Sequence, residues 1–434
     1  MRVAVVALGK IGLPLAVQIA SKGIEVIGAD VSRQVVDLVN AGSAPFPGEA
    51  HLEERLARVH GEGLLSATTD TTAAVSESDV VIVVVPLMTD VGGVPDFSAM
   101  DAATGAVAAG LRRGTLVSYE TTLPVGTTRN RFAPMLEAAS GLVAGEDFYL
   151  VHSPERVFSG RIFSDLGRYP KLVGGVDQRS TGEGVEFYEK ILDFDDRPDL
   201  TRGNGVWAMA SAESAEMAKL AETTYRDVNI ALANEFAAFA EQAGIDIDEV
   251  ITAANSQPFS HIHRPGVAVG GHCIPVYPRF YLAGHPEAEL VETARRVNLG
   301  VPERVVETVS SHIGGLSGRS VLILGAAYRG GVKETAYSGV FDLMHAIEGR
   351  GGRVVVSDPL FTGEELRNLG LEPWSGDEIA AVIVQADHAE YSELGPDDMP
   401  GAQLVFDGRG VIDTRRWEDS KVPVLVIGQG STID

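Results

Sequence analysis

Short apolar runs alternate with helix-like segments along the N-terminal part of the chain. Val3–Leu8, Glu25–Asp30 and Val80–Val85 each contain consecutive aliphatic residues, and the segments between them have helical spacing. Continuous aliphatic runs are typical of parallel strands that are buried on both faces. The pattern therefore predicts a parallel sheet covered by helices, to which Thr115–Ser118 and Phe148–His152 would add further strands.

The middle of the chain has a different pattern. Trp207–Gln242 is rich in alanine and contains neither glycine nor proline, which predicts one helix of about ten turns. Polar side chains recur on one side of this helix at Lys219, Glu222, Thr223 and Arg226. From the spacing alone, this side is either a solvent face or part of a site.

A second alternation of strand-like and helix-like segments begins after the long helix. Its strands are predicted at Ser320–Gly325, Arg353–Asp358, Ala380–Gln385 and Gln403–Asp407. The whole pattern predicts an α/β fold with two Rossmann-like, doubly wound domains joined by a long central helix. We place the domains at residues 1–200, 201–310 and 311–434, with a dimer interface on the central helix.

Composition narrows the classes of function. A net charge of -25 excludes nucleic acid as a partner and requires a local gathering of basic residues for any anionic substrate. No apolar run reaches the roughly 20 residues of a membrane span, and the apolar start is too short for a secretory signal, so we expect a cytoplasmic protein. Because Cys273 is the single cysteine, neither an intrachain disulfide nor a multi-cysteine metal site is possible, and we expect no metal.

The first predicted strand runs into a glycine-containing turn that opens a helix. Such a turn lets the backbone approach a pyrophosphate, and an acid after the second strand accepts from ribose hydroxyls. The usual first glycine is replaced by Ala7. The predicted NAD contacts are Gly9, Lys10, Ile11, Gly12, Asp30 and Arg33, the last of which leaves NADP open. The alternative is a Rossmann-like sheet that binds nothing.

The segment Val269–Pro275 reads Val-Gly-Gly-His-Cys-Ile-Pro. Two glycines before a cysteine permit a tight turn and the close approach of a ligand. A thiol presented in this way can attack an aldehyde, and oxidation of the adduct gives a thioester that water converts to an acid. The alternative is a structural turn in which Cys273 only fills space.

Five motifs in order carry a resemblance over nearly the whole chain. They are Gly9–Pro14, Glu120–Thr127, Ser153–Val157, Lys219–Glu235 and Gly270–Pro275. With them the chain resembles the UDP-glucose/GDP-mannose dehydrogenase family, and within it the branch of UDP-N-acetylhexosamine 6-dehydrogenases of the UDP-N-acetylmannosamine type. The resemblance implies NAD-dependent oxidation of the C6 hydroxyl of a UDP-sugar to the uronic acid, with two NADH per sugar.

The resemblance also assigns roles. Cys273 matches the nucleophile, Lys219 the group that stabilises oxyanion charge, Glu155 the carboxylate that activates the hydrolytic water, and Thr122 a threonine that holds water beside the cofactor. The substrate-contacting positions are Arg156, Val157, Lys219, Arg226, Arg264, Gly270 and Arg409. Arg329, with Arg409, matches a position where the C-terminal domain closes over substrate and cofactor. Plainer interpretations are a helix-start acid at Glu155, a helix cap at Thr122 and surface charges at the two arginines.

The chain departs from the family pattern at three side chains. Thr223 stands where the family has asparagine and Tyr277 where it has aspartate, and Phe259 replaces a substrate-binding arginine for which Arg264 is a nearby substitute. The family residues help to position the reacting oxygen and manage its proton. Threonine can still donate and accept one hydrogen bond, so Thr223 is kept as a candidate catalytic residue, but tyrosine cannot act as an ionised base near neutral pH. Thr223 and Tyr277 suggest one alternative, a dehydrogenase that takes another nucleotide sugar or stops at the aldehyde. Two further alternatives are a two-domain hydroxyacid dehydrogenase and a non-catalytic protein that binds NAD and a UDP-sugar.

Overall fold

The computed structural model describes residues 1–90 and 93–430. The chain forms two compact units, Met1–Glu222 and Thr223–Asp434. The boundary falls inside one helix, and the three-part division expected from the sequence stays a prediction. Within the described residues, no helix combines the length and the apolar character needed to cross a membrane.

The first unit is built on an eight-stranded sheet. Its elements are β1 (Arg2–Val6), α1 (Gly12–Ala20), β2 (Glu25–Ala29), α2 (Arg33–Asn40), α3 (Leu52–Gly61), β3 (Leu65–Thr68), α4 (Thr71–Ser76), β4 (Val80–Val83), β5 (Met88–Thr89), β6 (Pro95–Asp96), α5 (Ser98–Gly110), β7 (Leu116–Tyr119), α6 (Ala133–Ser140), β8 (Tyr149–His152), α7 (Ile162–Arg168), β9 (Lys171–Gly175), α8 (Gln178–Ile191), β10 (Val206–Ala208) and the start of α9 (Ala212–Ala243). The strand order is β10-β9-β8-β7-β4-β1-β2-β3, and β5 pairs with β6 separately.

Six strands of this sheet have the order of a dinucleotide-binding fold. The strands from β3 across to β8 are parallel, whereas β9 pairs antiparallel with β8. The aliphatic residues of β1 and β4 are 0–5% exposed, so both faces of the central strands are covered. The carboxyl ends of these parallel strands therefore lie along one edge, where such folds bind ligands.

The long helix α9 confirms the predicted central helix but starts five residues later than expected. Trp207 belongs to β10, which pairs in parallel with β9, and its indole donates to the Gly203 carbonyl at 2.9 Å. The alanine-rich composition predicted a helix there, but pairing with a strand distant in sequence determines the structure. The prediction for the first turn and a half was therefore wrong.

The second unit contains a five-stranded, entirely parallel sheet with the order β12-β11-β13-β14-β15. Its elements are the rest of α9, α10 (Ile247–Asn255), α11 (Tyr277–Gly284), α12 (Glu289–Ile313), β11 (Ser320–Leu324), α13 (Gly339–Glu348), β12 (Arg353–Ser357), α14 (Gly363–Asn368), β13 (Ala381–Val384), β14 (Val405–Asp407) and β15 (Val424–Val426). This is the 2-1-3-4-5 order of the second common doubly wound fold.

The two units share the construction of their first strand turn. Ala7 donates its amide to the Ala29 carbonyl and Gly325 to the Ser357 carbonyl, each at 2.8 Å, directly after the first strand of its sheet. Both residues have a positive φ, 75° for Ala7 and 105° for Gly325. Alanine pays about 1–2 kcal/mol for a left-handed backbone, so the first unit holds a strained residue where glycine is usual.

Candidate active site

The turn between β1 and α1 leaves its backbone open to another molecule. A Cβ at Gly12 would lie 1.9 Å from the Ala7 carbonyl oxygen, so α1 starts tight against the turn. A Cβ at Gly9 would meet no atom of the described residues within 4 Å. Ile11 at the N-cap makes no side-chain hydrogen bond to the first turn of the described helix. An open glycine turn at a helix N-terminus fits the pyrophosphate of NAD.

Asp30 is fixed beside this turn. Its Oδ2 accepts from the Leu8 amide and its Oδ1 from the Ser32 amide, both at 2.8 Å. Each carboxylate oxygen can accept a second hydrogen bond, so Asp30 keeps the capacity to bind ribose hydroxyls. Arg33 is the first residue of α2, and its side chain is 79% exposed, with Nε 3.6 Å from Asp37 Oδ1. Its contact with the cofactor stays a prediction.

Glu155 and Thr122 lie at the carboxyl end of the first sheet, after β8 and β7. Neither begins a helix, so the interpretations as a helix-start acid and a helix cap were wrong. Thr122 is 5% exposed. The Glu155 side chain is 12% exposed and accepts from Lys171 Nζ at 2.9 Å and from the Arg156 amide at 2.7 Å. Lys171 was missed because its pairing joins the start of β9 to the loop that follows β8.

Arg156 and Lys219, two predicted substrate contacts, converge on Glu222. Arg156 Nε donates to Glu222 Oε2 at 2.8 Å, and Lys219 Nζ lies 3.6 Å from Glu222 Oε1. Lys219 and Thr223 are 6% and 2% exposed, so a solvent face for this side of α9 was the wrong alternative. Val157 packs partly buried against the core of the first unit.

Cys273 lies in the second unit, on a loop that leads into α11. The preceding Gly271 has a φ of 90°, and a Cβ at Gly270 would lie 2.6 Å from Tyr328 Cβ, so both positions require glycine. The Tyr277 amide donates to the Cys273 carbonyl at 2.9 Å. Cys273 as a residue is only partly buried, and its role as a nucleophile stays a prediction.

A cavity of about 170 Å³ opens beside this loop within the second unit. Gly270 and Tyr328 line it together with three arginines, Arg264, Arg329 and Arg409. This gathering of guanidinium groups in a protein of charge -25 suits an anionic ligand such as a diphosphate. The sequence predicted these arginines as site residues, and the structure brings all three to one cavity.

The three arginines are held differently. Arg409 Nε donates to the Gln385 carbonyl at 2.6 Å and its Nη2 to the Ala268 carbonyl at 3.2 Å, so Arg409 is not a surface charge. Arg329 is exposed and bonds the Tyr328 hydroxyl at 3.2 Å. Arg264 is exposed and paired with Asp248.

A buried network connects the cysteine loop to the long helices of the second unit. Arg295 Nη1 donates to Asp227 Oδ1 at 2.7 Å and to the Ile274 carbonyl at 3.4 Å. Asn298 donates to Asp227 Oδ1 at 2.8 Å. This network fixes the residue that follows Cys273, and sequence patterns gave no sign of it. Thr223 and Arg226 lie on α9 close to Asp227 in sequence. Phe259, which replaces the substrate-binding arginine of the family pattern, is 89% exposed.

Models of three domains from one enzyme family match the chain. The NAD-binding domain of the UDP-glucose/GDP-mannose dehydrogenase family matches residues 1–192, the central domain 213–299 and the UDP-binding domain 322–414. The chain belongs to the UDP-glucose/GDP-mannose dehydrogenase family. It is therefore an NAD-dependent nucleotide-sugar dehydrogenase with an α/β fold, which confirms the predicted family, fold class, cofactor and substrate class.

Individual members of the family resemble the chain over nearly its full length. The UDP-N-acetyl-D-mannosamine dehydrogenase of Pyrococcus horikoshii is 35% identical over 95% of this chain and 96% of its own. An NDP-N-acetyl-D-galactosaminuronic acid dehydrogenase of Ralstonia solanacearum is 32% identical, covering 95% and 97%. The solved structure of the UDP-D-ManNAc dehydrogenase from P. horikoshii matches with a TM-score of 0.88 at 32% identity, over 99% of this chain and 100% of that one.

Proposed function

We propose that this dehydrogenase oxidises the C6 hydroxyl of a UDP-N-acetylhexosamine to the uronic acid, with two NADH formed per sugar. The observation that carries the proposal is the position of Cys273, a partly exposed residue, on a glycine loop beside an arginine-lined cavity. Support for the sugar comes from relatives named for N-acetylmannosamine and N-acetylgalactosaminuronic acid. The arginines suit the diphosphate of the substrate.

The proposed mechanism divides the chemistry among four side chains. NAD, when bound, would supply the hydride acceptor for both oxidations, and the C6 hydroxyl gives up its proton to solvent in the first of them. The Lys219 ammonium stabilises negative charge on the reacting oxygen. The Cys273 thiol adds across the C6 aldehyde, its sulfur bonding to C6 and its proton passing to the oxygen, to give a thiohemiacetal. Loss of the hydroxyl proton to solvent and of a second hydride converts the thiohemiacetal to a thioester. Glu155 takes a proton from the water that hydrolyses the thioester, which releases the acid and regenerates the thiol, while Thr122 holds that water.

A panel of UDP- and GDP-sugars tests the substrate and the stoichiometry together. With its substrate, the enzyme should form two NADH for each sugar consumed, because both oxidations occur before the acid leaves. NADH is measured by absorbance and the sugar product by mass spectrometry. One NADH per sugar, with an aldehyde as product, would support the alternative of a dehydrogenase that stops at the aldehyde, which the departures at Thr223 and Tyr277 suggest. Binding of both ligands without NADH would support a non-catalytic protein.

We infer that the enzyme is a homodimer formed through α9. In the second unit this helix exposes an apolar stripe of four residues that are 39–66% exposed, Tyr225, Leu232, Phe236 and Phe239. Their spacing places them on one face of the helix. A contiguous apolar face of this kind marks an interaction surface.

Charging this stripe is expected to separate the dimer. The double variant Leu232→Lys, Phe239→Lys should be a monomer, because burying like charges at an isologous interface is unfavourable. The mass measured by light scattering should fall from near twice the 45.9 kDa of one chain to the mass of a single chain. Leu290→Lys, at a residue 68% exposed on α12, is the matched control and should leave the mass unchanged. A monomeric wild-type protein would contradict the inference.

A further inference from the structure

A buried group of charged side chains lies directly behind Glu155 in the first unit. The Lys171 ammonium donates to Glu120 Oε2 at 2.7 Å and to Glu155 Oε2 at 2.9 Å. The side chains of Lys171 and Glu120 are 4% and 0% exposed, whereas that of Glu155 keeps 12% of its surface in solvent. The Lys171 ammonium therefore donates to two carboxylates, and Glu155, the proposed hydrolytic base, is the more exposed of the two.

Neighbouring elements supply polar rather than charged groups to this cluster. From α8, the Tyr188 hydroxyl donates to Glu120 Oε1 at 2.5 Å and shares a 2.7 Å hydrogen bond with Ser118 on β7. The Tyr188 ring centre lies 4.9 Å from Lys171 Nζ. From β8, His152 is fully buried, and burial together with the Lys171 charge lowers the pKa of His152 to about 3. The imidazole is therefore neutral, and Lys171 is the cation that both carboxylates contact.

The pKa values of the two carboxyl groups that share Lys171 are shifted in opposite directions. Burial raises the pKa of Glu120 to about 7, and the charge of Glu155 acts in the same direction. Burial alone would also raise the pKa of Glu155, but the Lys171 ammonium and the Arg156 amide hold it below its ordinary value. Below about pH 7 one proton resides on Glu120, and above it both carboxylates compete for Lys171.

We propose that Lys171 and Glu120 are positioning residues for Glu155, in which Lys171 orients the carboxylate and the charge of Glu120 sets how strongly Lys171 holds it. The inference rests on the proposed role of Glu155 in thioester hydrolysis. While Glu120 is protonated, Glu155 has the ammonium to itself and is a weak base. Once Glu120 ionises, Glu155 shares the ammonium and accepts the proton of the attacking water more readily.

The rate of acid release after the two hydride transfers, followed by quenched flow across about pH 6–9, tests this proposal. In the wild type the rate should rise about tenfold through about pH 7, as Glu120 ionises. Glu120→Gln cannot ionise and should keep the rate at its low-pH value. Lys171→Met should move this step upward by about one unit or more, because the Glu120 carboxylate loses its counter-charge, and Lys171→Arg should restore the wild-type profile.

Two controls and a milder variant make the result decisive. Lys190→Met and Glu186→Gln remove an exposed ion pair of 2.6 Å on α8, and they should leave the profile unchanged. Tyr188→Phe removes one hydroxyl that stabilises the Glu120 carboxylate and should move the step near pH 7 upward. Equal slowing of Glu120→Gln and Lys171→Met at every pH would overturn the positioning role. Failure of the wild type to form a second NADH would instead refute the proposed function.

Discussion

Replacement of Cys273 by serine is expected to reduce acid formation on the order of 10⁴-fold, with little effect on folding or on ligand binding. The serine hydroxyl has a much higher pKa than a thiol and captures an aldehyde poorly at neutral pH. The fold should persist because the loop is held by backbone contacts, among them the Tyr277 amide on the Cys273 carbonyl. The measurement is uronic acid formed per enzyme under saturating NAD and sugar nucleotide.

His272→Ala is the matched control for this variant. The His272 side chain is 60% exposed and lies 3.5 Å from Glu334 Oε2, so its loss removes only a surface contact. It should keep acid formation within about threefold of the wild type. Full turnover to the acid by Cys273→Ser would show that the covalent mechanism is wrong.

Alanine at Gly12 is expected to abolish measurable NAD binding, whereas alanine at Gly9 should spare the fold. The Cβ at position 12 would lie 1.9 Å from the carbonyl oxygen of Ala7, which is already held at a φ of 75° and cannot easily give way. We expect a loss of roughly 1–3 kcal/mol in stability. The Gly9 Cβ has open space among the described residues, so the melting temperature should stay within about 2 °C of wild type.

Calorimetry with NAD distinguishes the two glycine variants. Gly9→Ala should weaken NAD about tenfold, because its methyl group enters the space through which the pyrophosphate approaches the backbone. Gly12→Ala should lose both thermal stability and NAD affinity. A Gly12→Ala protein that binds NAD as the wild type does would exclude this turn as the cofactor site.

Nine strands could be predicted from the sequence because each contains a local aliphatic run, whereas β3, β9 and β15 were not predicted. Val80–Val83, for example, is 0–5% exposed and lies at the centre of its sheet. The edge strand that contains Trp207 could not, because its pairing with Lys171–Val173 depends on residues far away in the sequence. Composition alone therefore extended the central helix through a segment that tertiary contacts make a strand.

The candidate site likewise contains residues that the sequence could predict and contacts that it could not. Motifs identified Glu155, Cys273 and Gly12, where the chemistry or the backbone demands a particular residue type. The pairings that set their environment could not be predicted: Glu120 begins one of the motifs, but its partner Lys171 is 51 residues away, and Arg295 contacts the cysteine loop from α12. These pairings depend on how strands and helices pack, which spacing along one element does not encode.

The central claim is that the Cys273 thiol forms a covalent bond to the oxidised sugar carbon. Mass spectrometry of Glu155→Gln, quenched after mixing with NAD and the preferred sugar nucleotide, tests this most directly. The account predicts that the peptide containing Cys273 gains the mass of the sugar-nucleotide acyl group, because hydrolysis of the thioester is blocked after the two oxidations. An unmodified Cys273 peptide in a variant that has formed two NADH per active site would contradict it.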